Sequence, residues 1–434
     1  MTTTQDWQRK PLGEVADLCL GKMLDQNKNK GDLFPYLANV NVRWGEFSLD
    51  GLRTMRFESK EKERYGLKFG DIVMCEGGEP GRCAIWKDQV PGMMIQKALH
   101  RIRPSAVLDY RFVYYNLLSI GQSKGFDQFF TGATIKHLPL EKLAKVEVTI
   151  PPLPVQRRIA GILSAYDELI ENSQRRIRLL EDMARALYRE WFVHFRFPGH
   201  ERLAKPNTTR KARPAGESIC EDANQSVPRL PSALGDIPQG WEVKKLGDIA
   251  DVNRAQINAR SAPEELHYID ISSVSPGRID STTTYAFVDA PGRARRIVQH
   301  GDILWSCVRP NRRSHALIMH PAQHTIASTG FAVLTASKVP YPFLYFATTS
   351  DEFVKFLENS ATGAAYPAVG AKTFEDADFL VPPSSLLEMF AKSAIPMAEE
   401  IHTLRLQNQN LRRTRDLLLP RLLSGQLSSI CHSV

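Results

Sequence analysis

The 434-residue sequence has no apolar run near the ~20 residues that a membrane-crossing helix needs. Residues 1–6 lack the basic-then-apolar order of a secretion signal. A cytoplasmic protein without a membrane partner is therefore expected. The six cysteines (Cys19, Cys75, Cys83, Cys220, Cys307, Cys431) are scattered and form no C-x-x-C pair, which argues for reduced thiols and against a disulfide framework. Eleven histidines show no H-E-x-x-H or comparable spacing, so no metal site is expected. No glycine-rich loop ends in Gly-Lys-Ser/Thr, and no G-x-G-x-x-G follows a strand. Glu76-Gly77-Gly78-Glu79-Pro80-Gly81-Arg82 has glycines, but its two acids would repel phosphate. The Asn/Asp-Pro-Pro-aromatic motif of amino-methyltransferases is missing, because the Pro-Pro pairs follow Ile150 and Val381. No nucleotide or methyl-donor cofactor is expected on this chain, and no catalytic residue is assigned.

What the sequence does contain is one unit written twice. Trp7 and Leu12-Gly13-Glu14-Val15-Ala16-Asp17 return as Trp241 and Leu246-Gly247-Asp248-Ile249-Ala250-Asp251, an offset of 234. Gly70-Asp71-Ile72-Val73 returns as Gly301-Asp302-Ile303-Leu304. Gly132-Ala133 returns as Gly363-Ala364 and Pro151-Pro152 as Pro382-Pro383, both at an offset of 231. A period this long excludes a solenoid and indicates a duplicated module. Short apolar runs bounded by turn residues, such as 71–75, 145–150 and 302–306, read as strands. Stretches 110–118 and 342–357 read as helices packed on them. The expected fold class is α+β: two similar mixed α/β globular domains, separated by long helices.

Each globular stretch gives way to a heptad-like stripe. In the first it contains Ile159, Ile162, Tyr166, Leu169, Ile177, Leu180 and Leu187. In the second it contains Met397, Ile401, Leu404, Leu411, Leu418 and Leu422. Steps of three and four place each set on one helix face. Two helices of ~40 residues would each run about 60 Å at 1.5 Å per residue. Their narrow stripes suit mating with each other as an antiparallel coiled coil in a pseudo-two-fold arrangement. Ser384 is expected to cap the second helix, and Pro396 to kink or restart it. The resulting division is 1–151 (globular), 152–197 (helix), 198–236 (polar linker with a basic run at 210–213), 237–382 (globular) and 383–434 (helix).

The net charge of +8 and pI near 9.1 suit an acidic polymer as partner. Candidate nucleic-acid contacts in the first half are Arg43, Trp44, Arg82, Thr134, Lys136 and His137. In the second half they are Arg254, Gln256, Asn258, Arg260, Arg293, Arg295, Arg296, Tyr366, Lys372 and the run Arg309-Pro310-Asn311-Arg312-Arg313-Ser314-His315. Arginine suits guanine edges and phosphates, and asparagine suits adenine edges. Small residues at the two Gly-Ala turns let backbone amides approach a phosphate. One nuclease-like pattern, Asp50 with Glu58-Ser59-Lys60, resembles an acid…acid-x-Lys magnesium site; a solvated strand or turn is the better reading.

Taken in order, these motifs resemble the specificity (S) subunit of type I restriction-modification systems. The marks are Leu12-Gly13-Glu14-Val15-Ala16, Gly70-Asp71-Ile72-Val73 and their copies, together with Pro151-Pro152-Leu153-Pro154-Val155-Gln156-Arg157-Arg158-Ile159. To these belong Ala186-Leu187-Tyr188-Arg189-Glu190-Trp191-Phe192-Val193-His194-Phe195 and the tail Leu419-Pro420-Arg421-Leu422-Leu423-Ser424-Gly425-Gln426-Leu427. The resemblance implies two target recognition domains, each reading half of a split double-stranded DNA sequence, with the helices as a ruler between them. It implies two methyltransferase (M) subunits and restriction (R) subunits as partners. S-adenosylmethionine, ATP and Mg²⁺ would sit on those partners. The second half departs from the pattern, showing Ser384-Ser385-Leu386-Leu387 where the first has the Gln-Arg-Arg-Ile helix start. The alternatives are a stand-alone DNA nuclease and a protein scaffold that does not read DNA.

Overall fold

The computed structural model describes residues 7–23, 25, 29–200, 229–230, 237–258, 260 and 262–426. The connector assigned to 198–236, including its basic run, lies almost wholly outside them. Two compact units are formed, residues 1–173 with 407–434 and residues 174–406. Each unit therefore takes one globular part and a portion of both long helices. No helix among the described residues is long and apolar enough to cross a membrane.

In the first unit, a four-stranded antiparallel sheet has the order Ala16–Leu20, Leu99–Pro104, Ile72–Cys75, Cys83–Ile85. A second sheet sets Asp32–Leu37 between Arg53–Phe57 and, in parallel, Met94–Ile95. Gln8–Pro11 pairs with Glu147–Ile150, closing the globular part just before the long helix. Helix Tyr110–Gln122 packs its apolar face on the first sheet. The core joins Ile72, Met74, Ile102, Phe112 and Tyr115 to Ile159 and Leu163 of the first long helix, and to Leu419 and Leu422 of the second.

The second unit repeats the plan. Its four-stranded sheet runs Ala250–Val252, Phe331–Ala336, Ile303–Ser306, His315–Leu317. The other runs Thr283–Ala286, Glu265–Ile269, Thr325–Ser328, Ala294–Ile297, with one parallel pair. Glu242–Lys245 pairs with Asp378–Val381. Trp305, Leu334, Phe343 and Phe374 pack with Phe192, Leu387 and Phe390.

The Gly-Asp turns show why those residues recur. Gly70 and Gly301 take φ of +88° and +85°, a region that costs other residues about 1 kcal/mol or more. An added Cβ would sit 3.3 Å from the Tyr110 ring at one and 3.2 Å from the Tyr341 ring at the other. Asp71 then accepts the Lys68 N–H at 2.8 Å and Asp302 the Gln299 N–H at 2.8 Å. Each turn thereby delivers the chain into a fully buried central strand.

Several expectations need correction. The stretch 342–357 is two helices, Tyr341–Thr348 and Asp351–Ser360, because Ser350 caps the second by accepting the Phe353 N–H at 3.2 Å. The long helices span Leu153–Tyr188, continued by a π-turn at Arg189–Val193, and Ser384–Leu423. Pro396 does not restart the second: it removes one N–H donor, and the flanking bonds carry the helix through. Ser384 is the first helical residue and not the cap; the Pro383 carbonyl accepts from Leu386 and Leu387. Leu169 is 54% exposed, and the buried places are taken by Leu163, Ile170 and Ala184. A step of four from Tyr166 to Ile170 keeps the stripe on a 3.6-residue turn. Ile159, Leu404 and Leu422 are buried as expected, while Ile162, Tyr166, Ile177, Leu180, Leu187, Met397, Ile401, Leu411 and Leu418 are half-buried. Glu58 opens helix Ser59–Tyr65, its N–H donating to Glu61 Oε2 at 2.9 Å, so a helix start replaces the expected strand or turn.

The missing glutamine of the second half has a local cause. Gln156 is 1% exposed; its Oε1 accepts the Asp109 N–H at 2.9 Å and its Nε2 donates to the Pro151 carbonyl at 2.8 Å. At the same offset the second half has Leu387, buried at 4%, and in place of Asp109 it has Pro340. Proline has no N–H to satisfy, so an apolar side chain suffices there. Gln156→Leu should orphan the Asp109 amide and cost about 1–3 kcal/mol. Urea unfolding would read this, with faster hydrogen exchange at residues 109–113; unchanged exchange there would contradict the assignment.

His315 opens the last strand of its sheet and is only 8% exposed, with its ring 5.0 Å from that of Trp305. It is therefore withdrawn from the surface role expected of its run. Burial lowers its pKa to about 4, helped by Arg313 and Arg185. The unfolded chain binds that proton below about pH 6.5 while the folded one does not. Stability should fall as pH drops from about 6.5 to 4, by about 3 kcal/mol, and then level off. His315→Phe should flatten that part of the profile in urea titrations at a series of pH values.

Candidate nucleic-acid interface

The site grows from the end of each central strand. In the first unit the strand Ile72–Cys75 leads to Glu76, whose N–H donates to Ala98 O at 2.9 Å and whose carbonyl accepts from Leu138 N at 2.8 Å. This anchors a hairpin at 131–137, closed by reciprocal 2.9 Å bonds between Thr131 and His137. Gly132 takes φ +89°, and a Cβ there would lie 2.2 Å from the Ile135 carbonyl oxygen. The tip 132–136 is exposed throughout, with Ile135 65% exposed.

The second unit builds the same object. Cys307 N–H donates to Gly330 O and its carbonyl accepts from Val369 N, both at 2.9 Å. A hairpin at 362–368 is closed by Thr362 and Ala368 at 3.0 and 2.9 Å. Gly363 takes φ +100°, and Tyr366 stands 69% exposed where the first hairpin has Ile135.

Around these frames the polar residues differ. In the first unit Asn39 Nδ2 donates to Gly77 O at 3.3 Å, and His137 Nδ1 lies 3.2 Å from both Glu76 carboxylate oxygens. Lys136 lies over the Phe130 ring at 5.5 Å, and Thr134 is open to solvent. Arg43 is exposed, and Trp44, 41% exposed, lies against Gly121. Arg82 is corrected: it is 9% exposed, its Nη2 donates to Asn39 O at 3.0 Å and its Nη1 pairs with Glu79 at 2.7 Å. It braces the loop and does not reach outward.

In the second unit Arg309 sits at φ +51°, with its guanidinium 4.5 Å from the Tyr366 ring centroid and its N–H donating to Pro367 O at 2.7 Å. Arg313, at φ +53°, pairs with Asp351 at 2.5 Å. Asn311 and Arg312 are exposed between them, and among the described residues Arg312 has no ion-pair partner. A second group lies along Ala294–Ile297: Gln256 bridges Arg296, and Ile257 N–H donates to Arg295 O at 2.9 Å. That brings Gln256, Asn258, Arg260, Arg293 and Arg295 onto one edge; Arg254 donates to Gln299. Arg295 lies over Phe287 at 5.4 Å. Thr329 N–H donates to Arg293 O at 2.8 Å, and the next residue, Gly330, holds Cys307, so this edge adjoins the Arg309 loop. Arg296 is the exception: its Nε is buried without a partner, and burial lowers its pKa. Lys372 stands apart on the short helix Ala371–Glu375, its charge spent on Asp376 at 2.9 Å.

Sequence reasoning did not select Asn39, Val40 or Ile135. Val40 is 63% exposed beside Asn39, and its signal would have been an apolar residue between two asparagines. Ile135 would have followed from its equivalence to Tyr366.

Residues 4–182 match the family model of the type I restriction modification DNA specificity domain. Over 438 residues the chain is 22% identical to the type I restriction enzyme MjaIX specificity subunit of Methanocaldococcus jannaschii, spanning 98% of this chain and 94% of that protein. It is 21% identical over 474 residues to the HindI specificity subunit of Haemophilus influenzae, spanning 97% and 100%. Its fold matches the crystal structure of a type I restriction-modification S subunit from M. genitalium, with TM-score 0.55, 17% identity and 96% of each chain covered. The first half of the chain thus matches a type I restriction modification DNA specificity domain, and over its full length the chain is similar to specificity subunits of type I restriction enzymes.

Proposed function

We propose that this chain is the DNA sequence-specificity subunit of its complex and recognises a bipartite, asymmetric double-stranded target, one half through each globular domain. The observation that carries this reading is the pair of hairpins at 131–137 and 362–368. They are held to equivalent strand ends by the same main-chain bonds but present unlike side chains. Like frames with unlike polar tips suit two different half-sites. The chain is a recognition subunit and not the enzyme. Catalysis, with S-adenosylmethionine, ATP and Mg²⁺, belongs on this reading to two methyltransferase (M) subunits and to restriction (R) subunits docked on it, in the cytoplasm. The stand-alone nuclease reading loses ground, since Glu58 is engaged at a helix start and pairs with Lys60 at 3.0 Å.

The long helices are read as an antiparallel coiled coil between two copies of a duplicated unit. In support, Asp167 pairs with Arg415 in the first unit, while in the second Arg176 pairs with Glu400 at 2.6 Å and Glu181 with Arg405 at 2.7 Å. Position 167 thus meets 415, while the later positions 176 and 181 meet the earlier 400 and 405, an antiparallel order. Asn408, 7% exposed, is a polar residue in the buried stripe of the kind that fixes register.

Arg312, exposed and uncommitted, is the arginine best placed to meet a base edge. Arg312→Ala should relax specificity in one half-site by about 1–3 kcal/mol at one base pair. This is measured by mapping methylated adenines genome-wide with the variant in place of the native subunit. A uniform loss over all sequences would assign Arg312 to phosphate alone, and an unchanged map would remove it from the interface. Inserting four residues between Ile170 and Leu180 should lengthen the spacer between half-sites, since it moves the ruler by about 6 Å. An unchanged spacer in the same map would refute the ruler.

A further inference from the structure

We propose that the second unit carries a transition-metal site of the zinc class, formed by His300, His320 and Glu399. Among the described residues these three form a set whose ligand atoms all lie within 4.8 Å of one another. His300 precedes the Gly301-Asp302 turn, His320 follows the strand His315–Leu317, and Glu399 comes from the long helix Ser384–Leu423. His320 Nε2 is 2.8 Å from Glu399 Oε2, and His300 Nε2 is 3.9 Å from Glu399 Oε1. The two imidazoles lie 4.4 Å apart with their planes 35° from parallel. A four-coordinate zinc bound at about 2.0–2.2 Å needs donors about 3.4 Å apart. The three side chains are each partly exposed, and the two donor separations to Glu399, 2.8 and 3.9 Å, bracket that spacing.

The chemistry favours an ion over an isolated ion pair. His402, one turn along the helix from Glu399, brings a third imidazole, its ring 5.3 Å from His320. Neutral imidazole nitrogens and a carboxylate oxygen are the donor set that zinc takes. Tyr341 packs edge-on to His300 at 5.3 Å, and its hydroxyl is buried without a hydrogen-bond partner. Water ordered at the ion would give that hydroxyl a partner. His320 adopts φ +44°, a left-handed backbone that turns its ring toward this cluster at a cost. Loading through His300 Nε2 moves its proton to Nδ1 and gives up one long bond, the 3.3 Å contact from His320 N–H. Bound there, the ion staples two turns of the recognition sheet to the helix beside them.

The test uses the full-length, untagged, metal-free chain and zinc chloride alone, followed by isothermal titration and by competition with a chromophoric chelator. One zinc per chain is expected, with a rise in melting temperature. His320→Asn and Glu399→Gln should each weaken binding by at least about tenfold and remove the thermal shift, while His267→Asn changes neither. Cobalt(II) in place of zinc should give visible bands that shift or vanish in the same two variants. Circular dichroism of the metal-free variants should match that of the parent chain, separating loss of a ligand from loss of fold. No binding at millimolar zinc, or binding undiminished in both variants, would overturn the site.

Discussion

The constraint on which the candidate interface depends is the double use of one residue's main chain at the end of each central strand. Glu76 gives its N–H to the chain entering the neighbouring strand and its carbonyl to the chain leaving the hairpin; Cys307 does both in the second unit. Main-chain bonds of this kind contribute about 1 kcal/mol each when made and cost more when a buried partner is left without one. They ask nothing of the side chain beyond its fitting. A glutamate and a cysteine therefore serve the same anchor, and the tips they hold are free to differ. A protein that must keep its frame while changing what it reads gains from an anchor that is blind to residue type.

The same reasoning separates frame from reader within the loops. Arg309 and Arg313 both sit in the left-handed region, where a side chain costs about 1 kcal/mol, and they bracket a single turn of 3₁₀ helix at Pro310–Arg312. Both arginines are held, one over Tyr366 and one on Asp351, and the strain is offset by those contacts. The turn between them projects Asn311 and Arg312 with their polar groups unspent. In the first unit the matching loop sets Glu76 and Glu79 against the single, buried Arg82, so it carries no free cation, and its outward basic groups come from the hairpin and from residues 39–44. The two faces thus differ in electrostatics as well as in residue identity.

Much of this was legible in the sequence because it rests on short-range rules. The Gly-Asp turns, the strands after them and the Pro-Pro helix entries each depend on residues within a few positions, and each was found where the pattern put it. The failures have physical reasons of the opposite kind. Leu169 satisfies a heptad count, yet a helix of 3.6 residues per turn turns it to solvent and buries Ile170. Arg82 and His315 carry the right chemistry for an interface, but neighbours distant in sequence, Asn39 for one and Trp305 for the other, take them inward. The absent Gln of the second half looked like a weakened motif. It is a compensated one, since Pro340 removed the amide that the glutamine would have served.

The histidine cluster marks the limit of motif reading most clearly. A metal-binding helix announces itself by two ligands one turn apart, and here that turn holds Glu399 and His402 in an order and pairing that no zinc motif prescribes. The other two members arrive from either side of a strand pair, His300 before one strand and His320 after the next. The antiparallel register that sets Ile303 opposite Leu317 brings those two ends together. Ligands gathered by sheet register and helix docking leave no spacing to find. They exist as a set only once the recognition sheet has closed on the long helix, so an ion held there would report on that docking and strengthen it.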